Sequence, residues 1–268
     1  MTLTILFLAI LFIFGAAVGS FTSVAIYRLH KGEKGILLGR SKCTNCENKL
    51  QPLDLIPIVS YLALRGKCRH CSKDISYMYP LLEIVTGTLF ALLFLKFPFV
   101  NSVLQFDSTL IGMYALYAFY TFVLVFTFFF DFHYLKVADE ILLPAILIGL
   151  IATLATPLTP NILSALFGLL IGGAFFGLQY LVSKGTWVGL GDVRVGAFMG
   201  VVLGWKLVLV ALFVSYIVGS IVAIFVSIQK KQFKGVKVPF APMLVTGTFV
   251  VIFYGETILS WYLKGLGL

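Results

Sequence analysis

Long apolar runs separated by short polar stretches dominate the chain. Leu110–Phe130, Ile162–Val182 and Leu207–Ile228 contain no formal charge, and each exceeds the roughly 18 residues that mark a membrane-spanning helix. Leu3–Tyr27 is similar. It has no basic n-region and no small-residue cleavage site, so it reads as a retained span and not a signal peptide. Tyr79–Leu95, Ile141–Ala155, Val193–Trp205 and Val238–Leu263 complete a set of about eight predicted transmembrane helices, with Glu83 near the start of the second and Glu256 near the end of the last. The pattern predicts an all-α polytopic membrane protein.

Three regions follow from the same pattern. Residues 1–29 form the first transmembrane helix, 30–78 a polar insert, and 79–268 a bundle of seven further spans. The linkers Asn101–Thr109, Pro157–Asn161 and Gln229–Lys237 are short, and no repeat or low-complexity tract is visible. Gly15/Gly19, Gly168/Gly172, Gly173/Gly177, Gly196/Gly200 and Gly200/Gly204 are spaced as G-x-x-x-G. Such pairs put two small residues on one helix face, so they read as close packing within the bundle. Val193–Trp205 is short for a span, about 20 Å of helix against a hydrocarbon core of roughly 30 Å. Either the preceding Gly185–Gly191 dips into the membrane or the bilayer thins there.

Composition and charge add an orientation. The chain is 60% hydrophobic with a mean hydropathy of +1.04, far above the usual globular share. With the amino terminus outside, residues 28–78, 131–140, 183–192 and 229–237 face the cytoplasm. All 20 Lys and Arg residues then lie at or near that side except Lys96, Lys206 and Lys264, as the positive-inside rule expects. The net charge of +9 reads as this orientation signal beside an anionic bilayer, and it requires no nucleic-acid partner.

Against this background two acids stand out. Asp131 directly follows Phe128-Phe129-Phe130, and Asp192 closes Gly189-Leu190-Gly191-Asp192. A carboxylate beside hydrocarbon is costly unless it faces protein or water, which makes such acids functional candidates. The topology brings both to the cytoplasmic face, and a carboxylate pair can divide acid and base work. Asp139, at a loop-to-helix junction, competes for a place in the pair, though the position suits a helix N-terminal acid. An ion-coupled transporter is an alternative, but such sites lie near the bilayer midplane, often in paired repeats. A catalytically degenerate assembly scaffold is another.

All four cysteines fall in the insert, as Cys43-x2-Cys46 and Cys68-x2-Cys71 with 21 residues between the pairs. Two such knuckles suit a tetrahedral four-thiolate zinc site, and metal binding could supply the folding energy of so small a segment. Disulfides and free thiols are the alternatives, the first disfavoured in a reducing compartment. His70 reads as a solvated loop residue.

These residues together resemble the bacterial type IV prepilin peptidases, bifunctional membrane enzymes that also N-methylate their product. The resemblance covers nearly the full length. It rests on Gly19-Ser20-Phe21 and Val24-Ala25-Ile26-Tyr27-Arg28-Leu29, and on the cysteine pairs with Asp54-Leu55-Ile56-Pro57 and Leu64-Arg65-Gly66-Lys67-Cys68 between them. Ile75-Ser76, Tyr79-Pro80, Glu83, the Asp131/Asp139 spacing with Pro144, and Gly189-Leu190-Gly191-Asp192 complete it. The last string fits the G-x-G-D motif shared with presenilin-like intramembrane aspartyl proteases. Ala138 stands where the family usually has proline, Leu55 replaces a common asparagine, and Arg194 replaces a lysine. Arg194 keeps the cation and can bias the neighbouring carboxylate, but it cannot release a proton.

The resemblance implies an aspartyl endopeptidase of the inner membrane, with Asp131 and Asp192 catalytic and Gly189, Gly191 and Arg194 in support. Its substrates would be type IV prepilin or pseudopilin precursors, each a short basic leader followed by an apolar helix, cut between glycine and usually phenylalanine. It also implies methyl transfer from S-adenosylmethionine to the new amino terminus, with Gly66 and Glu83 as candidates. Glu83 equally suits an interfacial carboxylate.

Overall fold

The computed structural model of the chain describes residues 2–33, 39–101, 103–155, 160–231, 238–265 and 267. Most of the predicted linkers Pro157–Asn161 and Gln229–Lys237, and the basic residues Lys34, Lys234 and Lys237, lie outside them. Among the described residues eight α-helices carry the fold: α1 (Thr2–Lys31), α2 (Val59–Ala63), α3 (Met78–Lys96), α4 (Ser108–Tyr134), α5 (Asp139–Ala155), α6 (Ile162–Ser183), α7 (Leu190–Lys230) and α8 (Ala241–Gly265). A 3₁₀ turn at Pro52–Leu55 precedes α2. The chain divides into two compact units, Met1–Phe126 and Thr127–Leu268, with the boundary inside α4.

Among the described residues, six helices are long and apolar enough to cross a membrane. The sequence pattern predicts about eight spans, and the difference has two sources. α5 has 17 residues, about 26 Å of helix. α7 takes in 41 residues with a kink at Gly204, joining the predicted sixth and seventh spans.

That join is a reversal of direction. Gly204 is non-helical, with φ 73 and ψ 174, a backbone region that only glycine enters without strain. Before it, Gly200 lies against Gly168, Gly196 against Gly172 and Val193 beside Gly177, so the first half runs antiparallel to α6. After it, Trp205 N–H donates to Ser164 Oγ at 3.4 Å and Tyr216 meets Phe175, Phe176 and Gln179. The second half therefore returns along α6 in the opposite sense, and Gly204 is the tip of a helical hairpin.

The glycine pairs explain how α6 and α7 approach so closely. A Cβ added at Gly168 would sit 2.3 Å from Gly200 O, and one at Gly172 would sit 2.1 Å from Gly196 O. The reciprocal additions are as tight, 2.0 Å for Gly200 and 2.5 Å for Gly196. Dispersion between backbones replaces the hydrophobic drive that helices lack in lipid. Gly15 and Gly19 serve α1 against α3 in the same way, meeting Phe90 and Glu83 at 2.7 and 2.9 Å. Gly173 and Gly177 do not belong to this set, because their nearest neighbours lie at 3.6 and 4.0 Å. Gly200→Val is accordingly expected to destabilise the protein by about 1–3 kcal/mol or more, read as a lower melting temperature in detergent. Gly173→Ala should be neutral or slightly stabilising, since it exchanges glycine for a better helix former and its Cβ would make only an ordinary contact with Ala197 at 3.6 Å.

Candidate active site

The second unit brings the two outstanding acids together. Asp131 lies in the last turn of α4, three residues short of the helix end in place of marking it, and is 7% exposed. Asp192 lies in the first turn of α7 and is half-buried. The charge of Asp192 acts on Asp131, although 61 positions separate them in sequence. Each carboxylate is also held by one backbone N–H. Ala241, the first residue of α8, donates to Asp131 Oδ2 at 3.1 Å. Gly189 donates to Asp192 Oδ2 at 3.1 Å. Both donors belong to helix N-termini, where free N–H groups and the helix dipole favour an acceptor of negative charge.

The two motif glycines have different physical reasons. A Cβ at Gly191 would lie 2.6 Å from Val137 Cγ2, so this glycine admits the loop between α4 and α5. Gly189 has φ −84, and a Cβ there would meet nothing closer than Asp192 Oδ2 at 3.9 Å. Its bare backbone faces open space.

Arg194 does not turn toward Asp192. Residues two apart on a helix point to different sides, and the Arg194 guanidinium pairs with Asp139, the first residue of α5. Asp139 thus stands as a helix N-terminal acid tied to α7. Both partners are over a third exposed, which keeps the pair's contribution to about 0–1 kcal/mol.

Sequence reasoning missed the Ala241 donor and the aromatic wall beside it. Phe240 packs edge-on against Tyr216 and Phe176, with ring centroids at 5.4 and 5.9 Å. The Tyr216 hydroxyl donates to Gln179 Oε1 at 3.1 Å, and Asp192 acts on that phenol. Pro239 and Pro242, bracketing the start of α8, were the available signal for a helix N-terminus there.

In the first unit the four cysteine sulfurs lie within 4.8 Å of one another, with Cys43 and Cys71 Sγ 4.0 Å apart. A tetrahedral zinc with bonds of about 2.3 Å separates its sulfurs by about 3.8 Å, so the cluster could hold zinc. A disulfide needs about 2.05 Å, and all four thiols are free. The two knuckles share one design. Cys43 N–H donates to Asn48 O and Glu47 N–H to Cys43 O; Cys68 N–H donates to Lys73 O and Ser72 N–H to Cys68 O. Glu47 and Ser72 both take positive φ, 57 and 55. Burial opposes ionisation of Cys43, but the N–H groups of Cys46 and Asn45 and the neighbouring thiols bring it down to about 7. At Cys71 the Lys73 N–H is outweighed by desolvation and the three other sulfurs, which push it up to about 11. Four thiolates cannot accumulate here without a cation.

Glu83, on α3, is buried and accepts the Ile58 N–H on Oε2 at 2.7 Å and a hydrogen bond from Ser20. Gly66 has φ +70, and a Cβ there would lie 3.0 Å from the Tyr61 hydroxyl.

These features define a polytopic helical membrane protein with an acid pair in one unit and a four-thiol cluster in the other. Residues 13–97 match the bacterial peptidase A24 N-terminal domain, and residues 118–224 match the type IV leader peptidase family. A prepilin leader peptidase/N-methyltransferase of Bacillus subtilis (strain 168) is 33% identical over 260 residues, spanning 96% of this chain and 98% of its own. Proteins of the same name from Aeromonas salmonicida (strain A449) and Pseudomonas aeruginosa are 28% and 27% identical, over 97% and 94% of this chain and 94% and 92% of theirs. No solved structure matches. The chain belongs to the type IV leader peptidase family.

Proposed function

We propose that the chain is an aspartyl endopeptidase that removes the basic leader from type IV prepilin or pseudopilin precursors and then N-methylates the new amino terminus. The observation that supports the proteolytic half is the placement of Asp131 and Asp192 in one unit, near enough for the charge of one to act on the other, each with one oxygen held by a helix N-terminal N–H. Like charges in close contact do not both ionise cheaply, so the pair divides one proton. The ionised carboxylate takes a proton from water as that water attacks the scissile carbonyl. The protonated one hydrogen-bonds the carbonyl oxygen, and a proton passes to the leaving amine as the C–N bond breaks. Gly189 and Gly191 support the site, the first through its open backbone and the second by admitting Val137.

The working orientation is amino terminus outside, with the insert and both acids at the cytoplasmic face of the inner membrane. It is supported by the distribution of Lys and Arg. A precursor's apolar helix then lies in the bilayer while its basic leader stays in the cytoplasm, and the scissile bond falls at the acids. The proposed division is a first transmembrane helix (1–29), a zinc insert (30–78) and a peptidase bundle (79–268). Cys43, Cys46, Cys68 and Cys71 would hold zinc, whose work is to fold the insert.

When bound, S-adenosylmethionine supplies an electrophilic methyl group, which the new terminal amine accepts with loss of a proton and release of S-adenosylhomocysteine. Gly66 and Glu83 are the residues assigned to that half. The test is incubation of the purified protein with a synthetic prepilin and labelled donor in detergent, both product termini being read by mass spectrometry. Cleavage at a single bond and one added methyl are expected. Cleavage elsewhere would overturn the substrate assignment, and a product that never gains the label would remove the second activity.

A further inference from the structure

Beside the acid pair, two polar side chains meet in an otherwise apolar part of the second unit. Gln179 is the one carboxamide of α6, a helix that carries no formal charge, and Tyr216 lies in the second half of α7. The Tyr216 hydroxyl donates to Gln179 Oε1 at 3.1 Å. We propose that this pair holds the backbone of the precursor just beyond the scissile bond, in extended form, while the acids act on that bond. The inference rests on the peptidase half of the proposed function and adds the residues that present the peptide to it.

Three observations carry it. The first is place. Phe240 packs on Tyr216 with ring centroids 5.4 Å apart, and the next residue, Ala241, gives its N–H to Asp131. The ring that bears on Tyr216 and the amide that holds the acid are therefore neighbours in the chain. The charge of Asp192 reaches the same phenol.

The second is spare hydrogen-bonding capacity. A carboxamide offers two N–H donors and two acceptor lone pairs, and a phenol can accept as well as donate. Gln179 gives one N–H to Phe175 O at 3.2 Å and accepts once from Tyr216. One N–H, one Oε1 lone pair and the phenol oxygen are left over, and Tyr216 is 36% exposed, so a ligand can reach them. A donor beside acceptors matches the N–H and C=O groups of an extended peptide.

The third is pre-organisation. The Tyr216 ring lies edge-on to Phe175 at 5.7 Å and to Phe240, and stacks on Phe176 at 6.5 Å. The direction of its hydroxyl is set before any substrate arrives, which lowers the entropy lost on binding.

The chemistry calls for such a pair. The bond to be cut borders an apolar helix, and a helical carbonyl is already occupied by its own hydrogen bond. Unwinding frees it for attack but strips nearby N–H and C=O groups of partners, which is costly where water is scarce. Joining α6 to α7 does not require the pair, because the Gly168–Gly200 and Gly172–Gly196 contacts already hold those helices together.

The test is a double-mutant cycle across enzyme and precursor, read as kcat/KM for cleavage. In one synthetic precursor the peptide link after the first residue beyond the scissile bond is replaced by an ester, which removes its N–H. The ester on wild-type enzyme, and Gln179→Ala on the all-amide precursor, should each lower kcat/KM about three- to tenfold, as for one neutral hydrogen bond. Together they should cost little more than either alone, because both remove the same contact. Tyr216→Phe keeps the ring contacts and removes only the hydroxyl, so it carries the cycle if the melting temperature shows that Gln179→Ala misfolds. A wild-type enzyme indifferent to the ester, or losses that multiply in full in every folded variant, would overturn the docking role and leave the peptidase intact. A wild-type protein that cleaves neither precursor would instead remove the peptidase reading, and the docking role with it.

Discussion

Replacing Asp131 or Asp192 with asparagine is expected to stop leader cleavage while each variant still accumulates in the membrane. Positioned acid–base groups contribute about 10²–10⁴-fold each, and here the two act as one unit, so either change should remove nearly all activity. The fold should survive because asparagine has the same shape and keeps a side-chain oxygen. In Asp131→Asn that oxygen still accepts the Ala241 N–H, and in Asp192→Asn it still accepts the Gly189 N–H. Asp139→Asn is the informative control. It loses only an exposed ion pair with Arg194, worth about 0–1 kcal/mol, so cleavage should remain within a few fold of wild type. The assay is cleavage of a synthetic prepilin by equal amounts of membrane-extracted protein. Full cleavage by Asp131→Asn or Asp192→Asn would remove that residue from the pair, and a dead Asp139→Asn would put Asp139 in its place.

The acid pair was legible because charge is rare in this chain. A carboxylate at the end of a run such as Leu110–Phe130 stands out against everything around it. Helix positions were legible for a related reason, since runs near 20 apolar residues leave little freedom about what forms. α3, α5 and α6 each fall within two residues of their predicted limits at both ends. What was not legible is whatever depends on backbone groups or on facing. Ala241 is apolar, and its service to Asp131 is performed by an amide that every non-proline residue carries. Arg194 is two positions from Asp192 in the chain but on another side of the helix, so nearness in sequence pointed to the wrong carboxylate.

Two further differences follow from glycine. The predicted sixth and seventh spans are separated by Lys206 alone, too little chain for an ordinary loop. The reversal is possible because Gly204 takes a positive φ at the tip of the hairpin. The knuckle repeat also went unseen. Lys42-Cys43-x2-Cys46 and Lys67-Cys68-x2-Cys71 start matching turns closed by antiparallel bridges, Lys42 with Lys49 and Lys67 with Asp74. The two stretches share few residues beyond lysine and cysteine, because backbone hydrogen bonds and one metal would hold them and little packing constrains the rest.

Cys43→Ser or Cys71→Ser is expected to lower bound zinc from about one per chain to near zero and to open the segment from Gly39 to Tyr77 to protease. The described residues of this segment form only short elements, a 3₁₀ turn and a five-residue helix. Its buried core is correspondingly thin, and its largest source of stability would be the proposed metal, worth about 10–16 kcal/mol in comparable structural sites. Losing one thiolate should therefore unfold the insert as a unit. The same logic sets a pH dependence. Zinc needs all four thiols ionised, whereas in the metal-free cluster Cys43 ionises near 7 and Cys71 only near 11. Binding must release protons, so zinc affinity should fall steadily as pH drops below neutrality. Metal analysis after dialysis across that range, with limited proteolysis on the same samples, reads both effects. An insert that stays protease-resistant with no zinc bound would mean that its fold rests on something other than the metal.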